Sequence, residues 1–257
     1  MAWPTSTLAP VVERSSRRVD LSVVIPAYNE RERLPRTLEA IGSYLQARGG
    51  KSEVIVVDDG SRDGTAEAAA AEVAGLRERG VAVDLLRHAE NRGKGAAVRT
   101  GFAASSGEVV LFSDSDLSTP IEDTERLLEA IRGGADVAIG SRAVEHRRLV
   151  EKHQPWRREL MGRVFNLLVQ AVLLPGLHDT QCGFKAFTGD AGRRLLAATR
   201  SDGFEFDVEV LYRARRARLR IAEVAVRWRH AEGSRVSAVR DSARMFLALF
   251  RIRRQVG

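Results

Sequence analysis

From about residue 20 to residue 140, the chain alternates between short apolar runs and longer segments whose apolar residues recur every three or four positions. The short runs are rich in Val and Ile and are bounded by turn residues, which is typical of buried β-strands. The longer segments have helical spacing, as at Leu34, Leu38, Ile41 and Leu45. The predicted strands are Leu21–Ile25, Glu53–Val57, Val81–Arg87, Glu108–Phe112 and Ala135–Gly140, and the predicted helices are Glu30–Arg48, Thr65–Arg79, Gly93–Ser105 and Ile121–Arg132. This alternation predicts an α/β fold built on a doubly wound, mostly parallel sheet.

The pattern changes after residue 140. Pro155–Leu174 is a long apolar stretch with a thin polar stripe, too striped and too short in its uninterrupted part to span a bilayer. Phe204–Arg218 is predicted to be a helix, Leu219–Trp228 a strand and Ser237–Arg254 a final amphipathic helix. We therefore expect a disordered tail over residues 1–19, one globular domain over residues 20–235 and a basic amphipathic helix over residues 236–257.

The final helix has two predicted faces. The apolar face holds Ala243, Phe246, Leu247 and Phe250, and the other face holds Arg240, Arg244 and Arg251. Such a helix either packs on a core or lies in the surface of a membrane.

The charge is divided unevenly along the 257 residues, although the whole chain carries +7. Residues 1–140 hold 17 Lys and Arg against 22 Asp and Glu, whereas residues 141–257 hold 24 against 12. A basic C-terminal half predicts an anionic partner such as anionic lipid or a phosphate-bearing substrate. Nucleic acid is not expected, because aromatic residues make up only 6% of the chain and no RNA-binding motif is present.

A single cysteine excludes an internal disulfide.

Two carboxylates, Asp114 and Asp116, come shortly after the predicted strand Glu108–Phe112. Open α/β sheets bind their ligands at the carboxyl ends of the strands. Carboxylates spaced i, i+2 offer hard oxygen ligands to Mg²⁺ or Mn²⁺, and such an ion in turn binds phosphate. Two solvated acids at a strand end would have the same spacing. The spacing alone therefore does not identify a metal site, and the neighbouring sequence motifs must decide.

Polar loops close the first two predicted strands at the same sheet edge. Pro26–Glu30 follows the first strand and Asp58–Thr65 the second. Asp58 could accept a hydrogen bond from a nucleobase imide N–H, whereas Asp63 is expected to be a turn or helix-cap residue. Glycines in Asn91–Gly95 open the next helix and would let backbone N–H groups approach an anion there.

These strings, in this order and spacing, resemble family 2 glycosyltransferases with the GT-A fold over residues 20–235. The resemblance is carried by Val24–Glu30, Val56–Thr65, Asn91–Gly95 and Asp114–Asp116. Further strings narrow it to polyprenyl-phosphate sugar synthases: Asp114–Pro120, Gly140–Arg142, Asp179–Lys185, Phe204–Glu209 and Gly233–Arg235. The form Leu117-Ser118-Thr119-Pro120 is most like that of dolichyl-phosphate β-glucosyltransferases.

The resemblance implies roles for individual residues. The implied donor-binding residues are Pro26, Tyr28, Glu30, Asp58, Lys94 and Asp114, and the implied metal ligands are Asp114, Asp116 and Ser118. The implied catalytic residues are Asp116, Arg142, Arg158 and Arg235, with Arg157 as an alternative to Arg158. Gln181, Lys185 and Asp207 would build the acceptor pocket, or could equally be structural. Arg235 stands where relatives usually carry Lys, which changes the geometry of the contact.

The function that the resemblance implies is inverting transfer of a hexose, glucose from UDP-glucose, to a polyprenyl or dolichyl phosphate, with Mg²⁺ or Mn²⁺ as cofactor. Eukaryotic members carry an N-terminal membrane anchor that this sequence does not show. We therefore expect a cytoplasmic protein that docks peripherally on anionic lipid at the cytoplasmic face of a membrane. The sequence does not indicate an oligomeric state.

Three alternatives stay open from the sequence. A GDP-mannose-dependent polyprenyl-phosphate mannosyltransferase would share the scaffold. A haloacid-dehalogenase-type phosphatase would also place Asp114, Asp116 and Ser118 after an apolar strand, although that motif usually opens the chain. A binding module for nucleotide sugar or membrane without catalysis would retain metal binding but show no turnover.

Overall fold

A computed structural model describes residues 19–142, 150–152, 165–229 and 238–256, with no side chains described for residues 150–152 and 238–246. The elements in this part of the chain are β1 Val19–Ala27, α1 Leu34–Arg48, β2 Ser52–Asp58, α2 Thr65–Glu78, β3 Ala82–Arg87, α3 Lys94–Ala104, β4 Gly107–Ser113, α4 Thr124–Arg132, β5 Val137–Ser141, β6 Val150–Lys152, α5 over residues 165–172, β7 Phe184–Thr188, α6 Gly189–Ala198, α7 Phe206–Arg216, β8 Ile221–Ala225, β9 Trp228–Arg229 and α8 Ala238–Val256. A short 3-10 turn, Ile121–Asp123, precedes α4.

Seven of these strands form one sheet in the order β3-β2-β1-β4-β7-β5-β8. All neighbours in it are parallel except β7, which runs antiparallel to both β4 and β5. The α/β architecture and the mostly parallel sheet predicted from the sequence are therefore confirmed. β1 begins at Val19, the last residue of the expected tail, and residues 1–18 lie outside the described part.

Two elements between residues 184 and 198, β7 and α6, were not predicted from the sequence. β7 is buried, but Lys185 interrupts its apolar pattern. That lysine is tolerated because its ammonium lies 2.6 Å from Asp207 Oδ1 of the distant helix α7. The apolar pattern did not predict this strand, because it contains a lysine whose charge is neutralised only in the tertiary structure.

Side chains alternate between the two faces of the sheet and build a core on each face. One core contains Val24, Ile55, Val57, Val110 and Phe112 and the apolar sides of α3, α5, α6, α7 and α8. The other contains Val23, Ile25, Val54, Val56 and Leu111 and the apolar sides of α1, α2 and α4. Covering both faces with helices leaves the carboxyl ends of the strands as the exposed edge where polar loops gather.

The final helix, α8, turns a different set of apolar side chains to the core from those on its predicted apolar face. Its described core-facing side chains are Ala248, Leu249 and Ile252. Leu247 and Phe250, which belong to the predicted apolar face, are 68% and 50% exposed. Within the described residues, no helix combines the length and the apolar character that crossing a bilayer requires.

Within the long apolar stretch Pro155–Leu174, the described part is a core helix with a single exposed large apolar side chain. Phe165, Val169, Leu173 and Leu174 are buried in the same core cluster as the inner face of α8, whereas Leu167 is 64% exposed. Most of the described apolar area therefore belongs to the core.

Candidate active site

The loops that follow β1, β2 and β4 meet at one edge of the sheet. The three strands are parallel neighbours, with Ala27 at the end of β1 opposite Asp58 at the end of β2. β7 runs the other way, with Phe184 opposite Ser113, and so brings its amino end to this edge. The motifs that the sequence placed at strand ends therefore share one region of the surface, joined by the segment before β7.

The loops after β1 and β2 hold each other in place. Asn29 N donates a hydrogen bond to Ser61 Oγ at 2.8 Å, and Arg62 N donates to Asn29 Oδ1 at 3.0 Å. Glu30 N donates to Thr65 Oγ1 at 2.8 Å. Because side chains satisfy these backbone groups, the two loops form one ordered wall of the site.

Three residues of the first loop region differ in accessibility. Pro26 is buried within β1, opposite Val57. Glu30 is paired with Arg33, with 2.6 Å between Oε2 and Nε. Tyr28 is 40% exposed, so its ring is the group of the three that a flat base could contact directly.

Asp58, the last residue of β2, is fully buried. Its Oδ1 accepts a hydrogen bond from Ser61 N at 3.1 Å. Arg87 Nε lies 3.1 Å from Oδ2 but is not aligned for a hydrogen bond, so Oδ2 has no hydrogen-bond partner among the described residues. A buried carboxylate oxygen in this state is stabilised by an additional N–H donor. Asp58 Oδ2 therefore keeps unused acceptor capacity beside the Arg87 guanidinium.

Asp59 orders the loop that leads into α3, together with His88, a residue that the sequence analysis did not single out. Asp59 Oδ1 lies 2.6 Å from His88 Nδ1 and accepts from Arg92 N at 3.0 Å, and Oδ2 accepts from Gly93 N at 2.8 Å. His88 Nε2 lies 3.0 Å from Thr100 Oγ1. The role of His88 depends on contacts with Asp59 and Thr100 in separate elements. It therefore could not be predicted from the local sequence.

The first backbone amides of α3 bind protein groups, which corrects the anion site expected at Asn91–Gly95. Gly95 N donates to Asp202 O at 2.7 Å, and Ala96 N lies 3.4 Å from the same oxygen. A Cβ added at Gly93 would overlap the Asp202 carbonyl. The glycines therefore permit close packing against residue 202, and two positive side chains, Arg92 and Lys94, lie in this loop, of which Lys94 contacts the acidic pair.

Asp63 is a turn residue, one of the two structural roles expected for it, and precedes Gly64, the N-cap of α2. Its Oδ1 accepts a hydrogen bond from Thr65 N at 3.0 Å, at the start of α2, and its Oδ2 accepts from Arg31 N at 3.3 Å, in the loop after β1. These bonds to backbone amides account for this acid without a ligand.

The loop after β4 carries Asp114 and Asp116 and is tied down from two sides. Asp114 N donates to Gly183 O at 2.9 Å, and Thr37 Oγ1 of α1 donates to Ser115 O at 2.6 Å. Both carboxylates remain partly exposed. The backbone of the pair is therefore fixed while its oxygens stay accessible to a ligand.

Ser118 contacts its surroundings through its backbone. Its N–H donates to Asp116 Oδ1 at 2.9 Å, and its carbonyl accepts from Arg229 N at 2.8 Å. Leu117 adopts a positive φ of 45°, which closes the turn between the acids and Ser118. This turn orients Asp116 toward the edge of the sheet.

Lys94, the first residue of α3, provides the cation nearest to the acidic pair. Its Nζ lies 2.6 Å from Asp114 Oδ1 and 5.1 Å from the centroid of the Phe112 ring. Although burial alone would lower it, the carboxylates of Asp114 and Asp207 raise the pKa of Lys94 above its usual range. The ammonium is therefore charged at neutral pH.

Gly183 is a site residue whose role was not predicted from the sequence. A Cβ added at this position would overlap the carboxylate of Asp114, and its carbonyl accepts the Asp114 N–H. Its φ is not positive, so the requirement for glycine is steric and not conformational. The residue before β7 thus leaves the space that the carboxylate of Asp114 occupies.

Lys185 and Asp207 form a buried ion pair. Lys185 Nζ lies 2.6 Å from Asp207 Oδ1 and 2.5 Å from Cys182 O, and the lysine side chain is fully buried. A buried charge is stable only when it is paired in this way. These contacts favour a structural role beneath the site over direct contact with an acceptor, whereas Gln181 is partly exposed.

Arg142, which follows β5, is oriented by a two-point ion pair. Its Nε lies 2.7 Å from Asp179 Oδ2, and its Nη2 lies 2.8 Å from Oδ1. Asp179 N in turn donates to Glu223 Oε1 at 2.8 Å. Although burial opposes it, the Arg142 guanidinium holds the pKa of Asp179 below its usual range. A guanidinium has five N–H donors, so a phosphate contact does not require this pair to break.

The expected second phosphate-binding arginine, Arg158 or its alternative Arg157, lies outside the described residues, and so does Arg235. Their roles remain predictions.

The acidic pair fits a divalent cation whose remaining ligands come from substrate and water. Among the described residues, no group of three or more His, Cys, Asp or Glu side chains could form a complete metal site. Mg²⁺ is commonly held by one or two carboxylates plus substrate phosphates and water. Asp114 and Asp116, both partly exposed, meet that requirement.

Comparison with known proteins gives a family match and named relatives. A family model described as "Glycosyl transferase family 2" matches residues 22–195. The chain is 38% identical to the human dolichyl-phosphate beta-glucosyltransferase, covering 84% of this chain and 69% of that protein. It is 35% identical to the protein of the same name from Saccharomyces cerevisiae, covering 93% and 76%.

Solved structures share the fold. A Mycobacterium tuberculosis glucosyl-3-phosphoglycerate synthase, in complex with Mn²⁺, UDP-glucose and phosphoglyceric acid, superposes with a TM-score of 0.65 at 22% identity, covering 93% of this chain and 81% of that one. A mannosyl-3-phosphoglycerate synthase from Rubrobacter xylanophilus gives a TM-score of 0.63 at 20% identity, covering 92% and 73%. At these identities the likeness concerns the fold alone.

Proposed function

Because the chain belongs to glycosyl transferase family 2, we propose that it is an inverting glucosyltransferase that moves glucose from UDP-glucose to a polyprenyl or dolichyl phosphate. The observation that carries the proposal is the pair Asp114 and Asp116, held at the sheet edge beside Lys94. The names of the relatives at 35–38% identity support glucose and a dolichyl-phosphate acceptor. Family membership also sets aside the phosphatase alternative.

The donor would lie across the loops at this edge. Asp58 would accept the imide N–H of the base, and Tyr28 would contact its ring. A divalent cation, Mg²⁺ or Mn²⁺, would be held by Asp114 and Asp116 and would neutralise the diphosphate leaving group. Lys94 would add a second positive charge to that group, and such preorganised charge stabilises the transition state.

The acceptor needs no catalytic base from the protein. A phosphomonoester has a second pKa of about 6 and is largely a dianion at neutral pH, so its oxygen is already nucleophilic. The protein then acts by positioning the acceptor and by stabilising charge. Arg142, oriented by Asp179, would hold the acceptor phosphate. A single displacement inverts the anomeric carbon, so α-linked UDP-glucose gives a β-linked lipid phosphate.

The test of this function is transfer of labelled sugar into lipid. The protein is incubated with labelled UDP-glucose or GDP-mannose and a polyprenyl phosphate, and the lipid phase is then extracted. We expect label only from UDP-glucose and only with Mg²⁺ or Mn²⁺ present. Label from GDP-mannose would support the mannosyl alternative, and donor binding without transfer from either sugar would support a non-catalytic module.

Asp58→Asn should raise the dissociation constant for UDP about tenfold or more while kcat changes little. The substitution puts an amide N–H₂ where the base needs an acceptor, and a base contact contributes mainly ground-state binding. Calorimetry with UDP measures the affinity. Asp84→Ala, which removes an exposed acid in the middle of β3, is the control and should leave the affinity unchanged. An unchanged affinity in Asp58→Asn would reject the base contact.

We further propose peripheral docking of this enzyme on anionic lipid at the cytoplasmic face of a membrane. Leu247 and Phe250 of α8 are exposed, and so are Arg253 and Arg254 near its end. Apolar side chains beside arginines are the composition of a helix that lies in the membrane surface. Leu167 of α5 is another exposed large apolar side chain among the described residues.

Binding to liposomes should therefore depend on lipid charge and on these side chains. Flotation with vesicles that contain anionic lipid should recover the protein, and recovery should fall at high salt. The double variant Leu247→Ser, Phe250→Ser should reduce it several-fold, whereas Leu76→Val, a conservative change in the core of α2, should not. This docking mode would be rejected if recovery were the same with neutral and anionic vesicles and the same for the double variant and the unmodified protein.

A further inference from the structure

The ammonium of Lys94 lies against the carboxylate that the metal is proposed to use. Lys94 Nζ is 2.6 Å from Asp114 Oδ1, whereas Asp116 Oδ1 accepts only the Ser118 amide among the contacts described above. We infer that Lys94 is an exchangeable cation: it occupies Asp114 in the ligand-free protein and moves to the donor diphosphate when metal and nucleotide bind. This inference rests on the proposed function for its metal and its donor.

The exchange requires only a side-chain movement, because both backbones are fixed. The amides next to Lys94 are held by Asp59 through Gly93 N and by Asp202 O through Gly95 N. Asp114 is held through its own N–H by Gly183. A lysine side chain has four rotatable carbon–carbon bonds and can swing between two anions without moving the helix that carries it.

The charges around the pair explain why one cation must replace another. Lys94 and Lys185 provide two positive charges, and Asp114, Asp116 and Asp207 provide three negative ones, with Asp207 close enough to both Lys94 and Asp114 to affect their ionisation. A divalent cation added beside Lys94 would leave this partly exposed cluster with excess positive charge. A diphosphate supplies the missing negative charge and gives Lys94 a new partner.

Metal and nucleotide should consequently strengthen each other's binding beyond their direct contact. Metal alone must displace Lys94 from Asp114, whereas metal that arrives with a diphosphate meets a lysine that has moved away. Reciprocal coupling of this kind commonly amounts to about tenfold in affinity. Removing the ammonium should therefore improve the binding of metal alone and weaken the coupling.

Titration with Mn²⁺, followed by the electron paramagnetic resonance signal of the free ion, tests this on the full chain. Lys94→Met should bind Mn²⁺ alone about tenfold more tightly than the unmodified protein. Addition of UDP should tighten Mn²⁺ binding about tenfold less in the variant than in the unmodified protein. Lys51→Met, which removes an exposed lysine at the opposite edge of the sheet, should match the unmodified protein in both titrations.

Equal or weaker Mn²⁺ binding by a folded Lys94→Met variant would overturn the exchange while leaving the metal site intact. No Mn²⁺ binding by any form, with or without UDP, would overturn both the exchange and the metal site of the proposed function.

Lysine acetylation, read by mass spectrometry on the unmodified protein, does not depend on the stability of a variant. Saturating Mg²⁺ alone should increase labelling of Lys94 and leave Lys51 unchanged, and Mg²⁺ with UDP should protect Lys94. Unchanged labelling of Lys94 under saturating Mg²⁺ would reject its displacement.

Discussion

Asp116→Asn should reduce transfer of glucose to lipid phosphate by about a thousandfold or more, which corresponds to ~4 kcal/mol of transition-state stabilisation. The substitution removes the charge of one of two carboxylates that would hold the metal and so leaves the diphosphate charge poorly compensated. Asp114→Asn should have an effect of the same order, because it removes the other carboxylate. The lipid-extraction assay at saturating Mg²⁺ and at saturating Mn²⁺ measures the loss.

The fold of both variants should survive, since the backbone of this loop is held by Gly183 and Thr37. Asp190→Asn is a matched control, because this exposed acid follows the carboxyl end of β7 and lies at the opposite edge of the sheet. It should transfer at the unmodified rate. Undiminished transfer by Asp116→Asn with circular dichroism unchanged would remove that residue from the site.

Gly183→Ala should lower transfer by about a hundredfold and weaken Mn²⁺ binding in the presence of UDP. An added Cβ would overlap the carboxylate of Asp114. That carboxylate is the free end of a side chain, so it can turn away from the new methyl group while the fold remains. The expected result is therefore a protein of nearly normal thermal stability with a displaced metal ligand, seen as loss of both Mn²⁺ affinity and activity.

Gly75→Ala provides the matched control for this substitution. Gly75 lies inside α2, and a Cβ there would meet no other atom within 4 Å. Alanine in a helix interior is more favourable than glycine by about 1 kcal/mol, so this variant should be slightly more stable and fully active. If Gly183→Ala also keeps full activity and Mn²⁺ affinity, the close approach to Asp114 does not matter for function.

The chain's own pattern determined most of the architecture. Strand and helix periods are local properties, so the alternation from residue 20 to residue 140 predicted β1 to β5 and the helices between them. The motifs Pro26–Glu30, Asp58–Thr65 and Asp114–Asp116 stand directly after predicted strands. Because parallel strands share one carboxyl edge, chain order alone was sufficient to bring these motifs together.

The faces of the last helix were not determined in this way. In α8 apolar residues lie on more than one side, and only contact with the rest of the core selects Ala248, Leu249 and Ile252 over Leu247 and Phe250. A helical period identifies a helix, but it cannot choose between two apolar stripes without knowing the surface that one of them covers.

The tertiary structure also determined which side chains pair or make contact between distant parts of the chain. β7 was not predicted because it contains Lys185, whose ion-pair partner, Asp207, belongs to α7. The start of α3 is capped by the carbonyl of Asp202, so the anion site expected from its glycines is filled by protein. Gly183 matters only because an antiparallel strand brings it under Asp114. Each of these contacts joins residues far apart in the chain, where neither spacing nor composition carries the information, and packing of the two cores on the sheet places them together.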